Sequence, residues 1–310
     1  MLLLMDTGKP PPVSISRDAH AGCLSFELSH GLHRIVVNCG LPGVNRETWR
    51  QVTRATAAHS TVTFNDTSSC GFLESGSFKN MLGTPIVSGP RNVEVVREDR
   101  PDAIVLRASH DGYAERFKVI HQRALKLASD GNRLDGEELF LSSDGDVIPQ
   151  ELPDEFAVRF HLHPSVRVNR VTDGHGAILM LPTREVWNFN AYEDRIEVEE
   201  SVFLSSADGP RRAMQIVIYG RARKVPRVHW SFTLASAPSA GGSRHRGNEP
   251  ELPLTAPRLT SKRLRTDKRP CHDRPPPRYP RFALRFRQDR ADRFRAGTGR
   301  ARNRAGFHRR

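Results

Sequence analysis

Residues 116–142, with the sequence RFKVIHQRALKLASDGNRLDGEELFLS, contain the pattern that decides the fold. Short runs rich in apolar residues, Arg116–Leu127 and Glu138–Ser142, have the alternation and composition typical of strands with one buried face. Between them, Ser129-Asp130-Gly131-Asn132 has the residues of a tight turn. The stretch therefore predicts β structure rather than helix.

The same combination of short runs and turns extends over the first three-quarters of the chain. Asp-Gly turns recur at Asp144-Gly145, Asp173-Gly174 and Asp208-Gly209, and only Glu47–Ala58 has helical character. We find no internal repeat. This organisation predicts an all-β fold, a large antiparallel two-sheet β-sandwich, rather than an α/β fold. The other predicted strands are Cys23–Leu28, Arg34–Asn38, Thr61–Asn65, Val93–Arg97, Ala103–Ser109, Phe156–Leu162, Ala177–Leu181, Val186–Phe189, Arg195–Leu204, Arg212–Tyr219 and Val228–Leu234.

The positive charge of the chain is concentrated at its C-terminal end. The 310 residues have a formal net charge of +13, but Ala235–Arg310 alone has 21 Lys and Arg against 6 Asp and Glu. The first 234 residues carry a net charge of about −2, with 27 basic and 29 acidic side chains. Nothing in this near-neutral body calls for a nucleic-acid partner.

The composition changes abruptly after Leu234. Ala235–Gly247 is rich in Ala, Ser, Pro and Gly, as linkers are, and the 76 residues from Ala235 onward include 19 Arg. Such a segment cannot bury enough apolar surface to offset its ordering entropy. We therefore predict a sandwich domain at 1–234 and a disordered tail at 235–310. The tail is either an arm for nucleic acid or another polyanion, with aromatic residues between its arginines, or an out-of-frame product of GC-rich DNA.

Several classes of protein are excluded by what the sequence lacks. The longest apolar run free of charge is Met1–Met5, so no transmembrane helix is predicted. The four cysteines form no C-x-x-C pair, which argues against a zinc ribbon or a disulfide framework. No P-loop, G-x-S-x-G, G-x-G-x-x-G or H-E-x-x-H motif is present.

Three stretches, in the same order, resemble the C-terminal domain of the heparinase II/III family of polysaccharide lyases. Asp18–Glu27 is similar to the family's H-A-H-A-D-x-L-S-F-E strand, and Arg54–Val62 to its T-x-A-H-N-T segment. The third stretch combines His110–Tyr113, Val119–Leu125 and Leu134–Glu138, and is similar to the family's G-Y…H-R-R-x-L…G-E-D series. The resemblance extends to about Phe232 and implies a supersandwich-like fold.

The resemblance also implies a function. Family enzymes cleave uronate-containing acidic polysaccharides by β-elimination, usually in the cell envelope or periplasm. Their main catalytic residues lie on an N-terminal α/α toroid, whereas Leu2–Gly8 already looks like a sandwich strand and its turn. We therefore expect a C-terminal module with unknown catalytic residues and little activity alone, starting at an internal methionine. Because no signal peptide is evident, a cytoplasmic location stays open. The alternatives are a non-catalytic carbohydrate-binding or structural sandwich, and tail-driven nucleic-acid binding.

A structural zinc site is implied at His20, Asn38 and His59. The family holds zinc with a His on the first motif, an Asp about 18 residues later and the His of the second motif; here these match His20, Asn38 and His59. Asn38 departs from the pattern, and its neutral amide is a weaker ligand than a carboxylate. The alternative is that the three residues are hydrogen-bonded core residues without metal.

Four further residues are candidates for a substrate groove. Asp18 matches a position where the family usually has a His that can neutralise a uronate; an Asp there would repel acidic sugars, or it makes only a turn hydrogen bond. Tyr113, His121 and Arg123 would line the groove between sandwich and toroid, or else form a network that holds the sheets together. His121 and Arg123 share one strand face.

Two weaker patterns complete the candidates. His161 and His163 alternate in a strand, which suits two aligned histidines on a solvated sheet face better than a metal pair. Trp187, followed by Tyr192 and Asp194, is either a sugar-stacking aromatic or a core residue.

Overall fold

Two large antiparallel sheets make up most of the computed structural model, which describes residues 1–43, 46–73, 84–145 and 147–236. These residues belong to the unit Met1–Ser239. The predicted tail at 235–310 lies outside the described residues from residue 237 onward. The strands are β1 (Leu2–Met5), β2 (Phe26–His30), β3 (His33–Val37), β4 (Val62–Phe64), β5 (Gly71–Phe72), β6 (Ile86–Ser88), β7 (Val93–Asp99), β8 (Ala103–Tyr113), β9 (Val119–Ala128), β10 (Arg133–Ser142), β11 (Glu155–Leu162), β12 (Arg167–Arg170), β13 (Gly176–Met180), β14 (Val186–Asn190), β15 (Ile196–Phe203), β16 (Arg211–Arg221) and β17 (Arg227–Ser236).

The first sheet has the order β1-β2-β3-β11-β16-β15, with β4 also paired to β11. The second has the order β12-β13-β14-β17-β10-β9-β8-β7, and β5 and β6 form a separate pair. The helices are α1 (Arg46–Arg54) and α2 (Ala114–Phe117), with 3₁₀ turns at Val13–Ile15 and Thr56–Ala58. The predicted all-β, two-sheet fold is confirmed. Within the described residues, no helix is long and apolar enough to cross a membrane.

Aromatic side chains from both sheets meet in the core. Phe26 of β2 stacks on Trp230 of β17 with ring centroids 5.5 Å apart, and Phe160 of β11 packs edge-on against the same indole at 4.8 Å. Trp230 fits because Gly136 lies opposite it on β10, where any Cβ would overlap the indole ring. These contacts bury large apolar surfaces from both sheets, the main favourable contribution to folding.

The local structure departs from the sequence prediction at several places. The strand predicted from Arg116 begins only at Val119, because Ala114–Phe117 form α2 and Lys118 has a left-handed backbone (φ 57°). The strand predicted from Cys23 begins only at Phe26, because Leu24 has a left-handed backbone (φ 60°) and the Ser25 N–H closes a turn on Gly22 O. The predicted helix at Glu47–Ala58 is divided, because Ala55 is extended (ψ 148°) between α1 and the 3₁₀ turn. The break at Ala55 places His59 directly before the segment that leads into β4.

Candidate functional site

His20 and His59 lie in contact, as the family resemblance implied. His20 is on the irregular segment before β2, and His59 ends the 3₁₀ turn Thr56–Ala58. His20 Nδ1 is 3.1 Å from His59 Nε2, and the two rings meet edge to face with centroids 5.2 Å apart. Gly22 permits this approach, since a Cβ there would press on the His59 ring.

The hydrogen-bond partners of the two rings determine which ring nitrogens carry a proton. His59 Nδ1 is 2.9 Å from the carbonyl oxygen of Ala55, which can only accept, so Nδ1 carries the proton and Nε2 has a free lone pair. His20 Nδ1–H then donates to that lone pair. Burial, together with the neighbouring His20, lowers the pKa of His59 to about 4. Burial and Arg54 also lower the pKa of His20, so both rings are neutral near pH 7.

Asn38, the expected third ligand, is occupied by other partners. Its Oδ1 accepts a hydrogen bond from the Ser60 N–H at 2.8 Å, and its Nδ2 donates to Glu27 Oε1 at 3.2 Å. The amide thereby ties β2 to the segment that leads into β4. These contacts are those of the alternative prediction, a hydrogen-bonded core residue.

The arrangement offers a zinc ion only part of a ligand set. Two imidazole nitrogens on one tetrahedral zinc lie about 3.3 Å apart, close to the separation here, and a ligating His usually donates its other N–H to a carbonyl, as His59 does. A closed structural site needs four ligands. Across the described ranges, no group of three or more His, Cys, Asp or Glu side chains is arranged so that it could hold a metal ion. The residues therefore do not fit a closed zinc site.

Asp18 lies on the surface beside this pair and carries a partner that the sequence did not reveal. Its carboxylate accepts a hydrogen bond from Arg50 of α1 at 2.5 Å, with its side chain 80% exposed. The same guanidinium donates to the carbonyl of Arg17. The repulsion expected between Asp18 and an acidic sugar is consequently reduced.

Arg54 stabilises the backbone beneath this surface from the interior. It is buried and donates to the backbone carbonyls of Ser16, Ala19 and Thr84 at 2.7–3.0 Å. The segment that carries Asp18 and His20 is thus held against the end of α1. Sequence reasoning quoted Arg54 in a motif without assigning it this role, because its partners are backbone atoms from two distant segments.

Tyr113, His121 and Arg123, the other groove candidates, are buried in the interior. The Tyr113 hydroxyl donates to Val62 O at 2.8 Å, and burial raises the pKa of this phenol. Arg123 Nη1 donates to the carbonyls of Leu24 and Ser60 at 2.7 and 2.8 Å. These contacts agree with the alternative prediction of an internal network and give no support to a groove role, which stays untested.

The network centres on Glu138, which sequence reasoning quoted but did not select. Its carboxylate accepts from His121 Nε2 at 2.7 Å, from Arg123 Nε at 2.8 Å and from the Trp230 indole N–H at 3.0 Å. Burial favours the neutral acid, but Arg123 and His121 outweigh it and hold the pKa of Glu138 below its usual value. Glu138 is therefore an ionised, fully partnered carboxylate in the core.

The structure also shows the contacts of His161, His163 and Trp187, the residues of the two weaker patterns. His161 bonds to Ser201 Oγ at 2.7 Å and to Ala57 O at 3.0 Å, whereas His163 bonds to Ser165. The two histidines therefore do not share partners, and the prediction of a solvated face is wrong for His161, which is fully buried. Trp187 is fully buried, as a core residue is.

A protein family and a curated protein resemble this chain in sequence. The family described as "Heparinase II/III-like, C-terminal" matches residues 1–231. "FtsZ-localized protein C" of Caulobacter vibrioides (strain NA1000 / CB15N) is 30% identical over 239 residues, which are 75% of this chain and 40% of that protein.

Among solved structures, the heparan sulfate lyase HepC from Pedobacter heparinus aligns with a TM-score of 0.53 and 11% identity, covering 72% of this chain and 32% of the lyase. A crystal structure of heparinase III aligns with a TM-score of 0.50 and 11% identity, covering 71% of this chain and 30% of that enzyme. At such identities the likeness is one of fold. The chain spans about a third to two-fifths of the length of these proteins.

Proposed function

Because the chain belongs to the heparinase II/III-like C-terminal family over residues 1–231, we propose that it is the β-sandwich module of a lyase that cleaves an acidic, uronate-containing polysaccharide. The surface formed by Asp18, His20 and Arg50 is the part that faces the polysaccharide. We call it the His20 surface. The cell envelope is the proposed location, since acidic polysaccharides are found there.

The observation that carries the proposal is the 3.1 Å contact between His20 and His59, which joins the first two motif stretches at one place. His20 is only partly buried, and Arg50, whose side chain is 13% exposed, pairs with Asp18 two residues before it. Because the Nδ1–H of neutral His20 is donated to His59, its Nε2 can accept a hydrogen bond from a sugar hydroxyl, and a guanidinium can pair with a uronate carboxylate.

The reaction requires more than this surface provides. In β-elimination a base removes the proton next to the carboxylate, a carbon–carbon double bond forms, and the 4-linked oxygen leaves with a proton. A base and a group that neutralises the carboxylate are both needed. Tyr113 is buried with its hydroxyl donated to Val62 O. We propose that the base comes from a segment other than the described residues.

The experiment is an elimination assay on the purified chain. Heparan sulfate, chondroitin sulfate and alginate are incubated with it, and the ultraviolet absorbance of the unsaturated uronate is followed. We expect no turnover above a heat-inactivated control. Sustained product formation would contradict the proposal that the base lies elsewhere.

A second candidate function is a non-catalytic module of a protein that localises with FtsZ. It is supported by the 30% identity with FtsZ-localized protein C, against 11% with the solved lyases. Sedimentation of FtsZ filaments with the chain tests it. Co-sedimentation that survives high salt would support this candidate, and a chain that stays in the supernatant would exclude direct binding to the filament.

A further inference from the structure

A cavity of about 270 Å³ opens on the second sheet, remote in sequence from the His20 surface. It lies where β10 and β17 run side by side, under the loop between β14 and β15. Asp135 and His229 line it from positions that alternate with the buried residues Leu134, Val228 and Trp230, so they project from the outer face of the sheet. The polar side chains that line the cavity are those of Asp135, Tyr192, Glu193, Asp194, Arg227 and His229.

Tyr192 is held in a fixed position at the cavity. Its ring is 46% exposed, and its hydroxyl bonds to Arg133 at 2.8 Å and to Ser231 Oγ at 3.3 Å. Its backbone has a φ of 54°, unusual for a bulky residue, and its N–H donates to Asn190 Oδ1. A half-exposed ring held at both ends can receive a flat ligand face with little further loss of side-chain entropy.

Some of the charged side chains at the cavity have ion-pair partners and others do not. Glu137, just outside it, binds both His229 at 2.9 Å and Arg227 at 3.4 Å, and Asp135 binds Arg133 at 2.6 Å. Within the described part of the chain, the carboxylates of Glu193 and Asp194 have no ion-pair partner. Partial burial and the neighbouring Glu193 raise the pKa of Asp194. The cavity therefore has an excess of negative charge that a bound cation would relieve.

We propose that this cavity binds a hexosamine unit, a pyranose that bears a protonated amine. The ammonium group pairs with Asp194 and Glu193, the ring hydroxyls bond to Asp135 and His229, and the apolar sugar face lies on Tyr192. The cavity is slightly smaller than the 300–1,000 Å³ or so of drug-sized sites, which suits one sugar unit. A uronate or sulfated unit would face the two unpaired carboxylates and be rejected, so this site differs in charge preference from the His20 surface.

The test is a titration of the full chain with three single sugars, followed by ligand-observed NMR at mildly acidic pH. Glucosamine carries the ammonium, N-acetylglucosamine removes its charge, and glucuronic acid reverses the charge. We expect glucosamine to bind at least tenfold more tightly than N-acetylglucosamine, and glucuronic acid not to bind. Equal affinities for the first two, or no binding of glucosamine, would overturn the proposal.

Variants locate the binding. Asp194→Asn should weaken glucosamine binding about tenfold, and Tyr192→Ala should weaken it similarly. Tyr219→Ala is the matched control, because Tyr219 of β16 is 44% exposed on the other sheet; it should leave binding unchanged. An unchanged unfolding midpoint shows that each variant is folded. Asp194→Asn binding glucosamine as the parent chain does would contradict the assigned ammonium site, whatever the outcome at the His20 surface.

Discussion

Arg123 and Glu138 lie opposite each other on β9 and β10, with Nη2 and Oε1 2.7 Å apart and both side chains fully buried. The same guanidinium reaches the carbonyls of Leu24 and Ser60, which flank strands of the first sheet. One ion pair of the second sheet thereby fixes the position of the segments that carry the His20 surface.

Removing one member of this pair should strongly destabilise the sandwich. Glu138→Gln leaves the Arg123 charge buried without its counter-ion, and Arg123→Met leaves the Glu138 charge buried in the same way. Each change should lower the free energy of unfolding by about 3–5 kcal/mol, measured by urea denaturation. The double variant Arg123→Met with Glu138→Leu should lose less than the sum, since neither charge remains.

An exposed ion pair provides the control. Arg212 and Glu200 pair on the surface with side chains 63% and 58% exposed. Because water screens such a pair, Arg212→Met should hardly change the unfolding midpoint. Equal losses at the buried and exposed pairs would show that the Arg123–Glu138 contact does not have the structural role assigned to it.

The sequence makes the Arg123–Glu138 pair predictable, because both residues are equally far from the Asp130-Gly131 turn and must face each other in a hairpin. The contact between His20 and His59 could be predicted only from the family resemblance. The engagement of Asn38 with Glu27 and Ser60 could not, since it depends on how distant segments pack. The sheet orders were also beyond reach, because strands such as β3 and β11 pair across more than a hundred residues.

Gly136 tests the packing of the two sheets. A Cβ at Gly136 would overlap the indole of Trp230, which stacks on Phe26. Gly136→Ala should therefore lower the free energy of unfolding by about 1–3 kcal/mol through overpacking. Gly43→Ala is the control, since nothing lies within 4 Å of its added Cβ. A Gly136→Ala variant as stable as Gly43→Ala would contradict the described packing.

His161 should make stability fall in acid. Burial, together with Arg159, lowers the pKa of His161 to about 3. An unfolded His titrates near pH 6.5 or so, and each unit of difference is worth about 1.4 kcal/mol. Above about pH 6.5 the imidazole is neutral in both states, and the free energy of unfolding is unaffected by pH through this group. As the pH falls from about 6.5 toward 3, the unfolded chain takes up a proton that the folded chain does not, so the free energy of unfolding decreases.

The variant His161→Gln separates this effect from other acid-sensitive groups. Between neutrality and mild acid, the slope of unfolding free energy against pH reports the number of protons taken up on unfolding. This number should be smaller for His161→Gln than for the parent chain by up to one proton. Parallel plots would mean that His161 is not held neutral in the fold.

Zinc analysis tests the role of Asn38. Its amide is bonded to Ser60 and Glu27, so we expect far less than one zinc per purified chain and no loss of melting temperature with a chelator. Asn38→Asp supplies the carboxylate that zinc prefers and should raise zinc affinity at least tenfold. Stoichiometric zinc in the parent chain, with a melting temperature that falls on chelation, would contradict this expectation.

The most direct test of the central claim, that the His20 surface faces an acidic polysaccharide, is calorimetric titration with a uronate oligosaccharide. Asp18→Ala removes a negative charge beside Arg50, whereas Glu200→Ala removes one beside Arg212 on an unrelated surface. Both variants keep the basic tail and have the same net charge. The account predicts severalfold tighter binding for Asp18→Ala and an unchanged affinity for Glu200→Ala. Equal affinities of the two variants would contradict it.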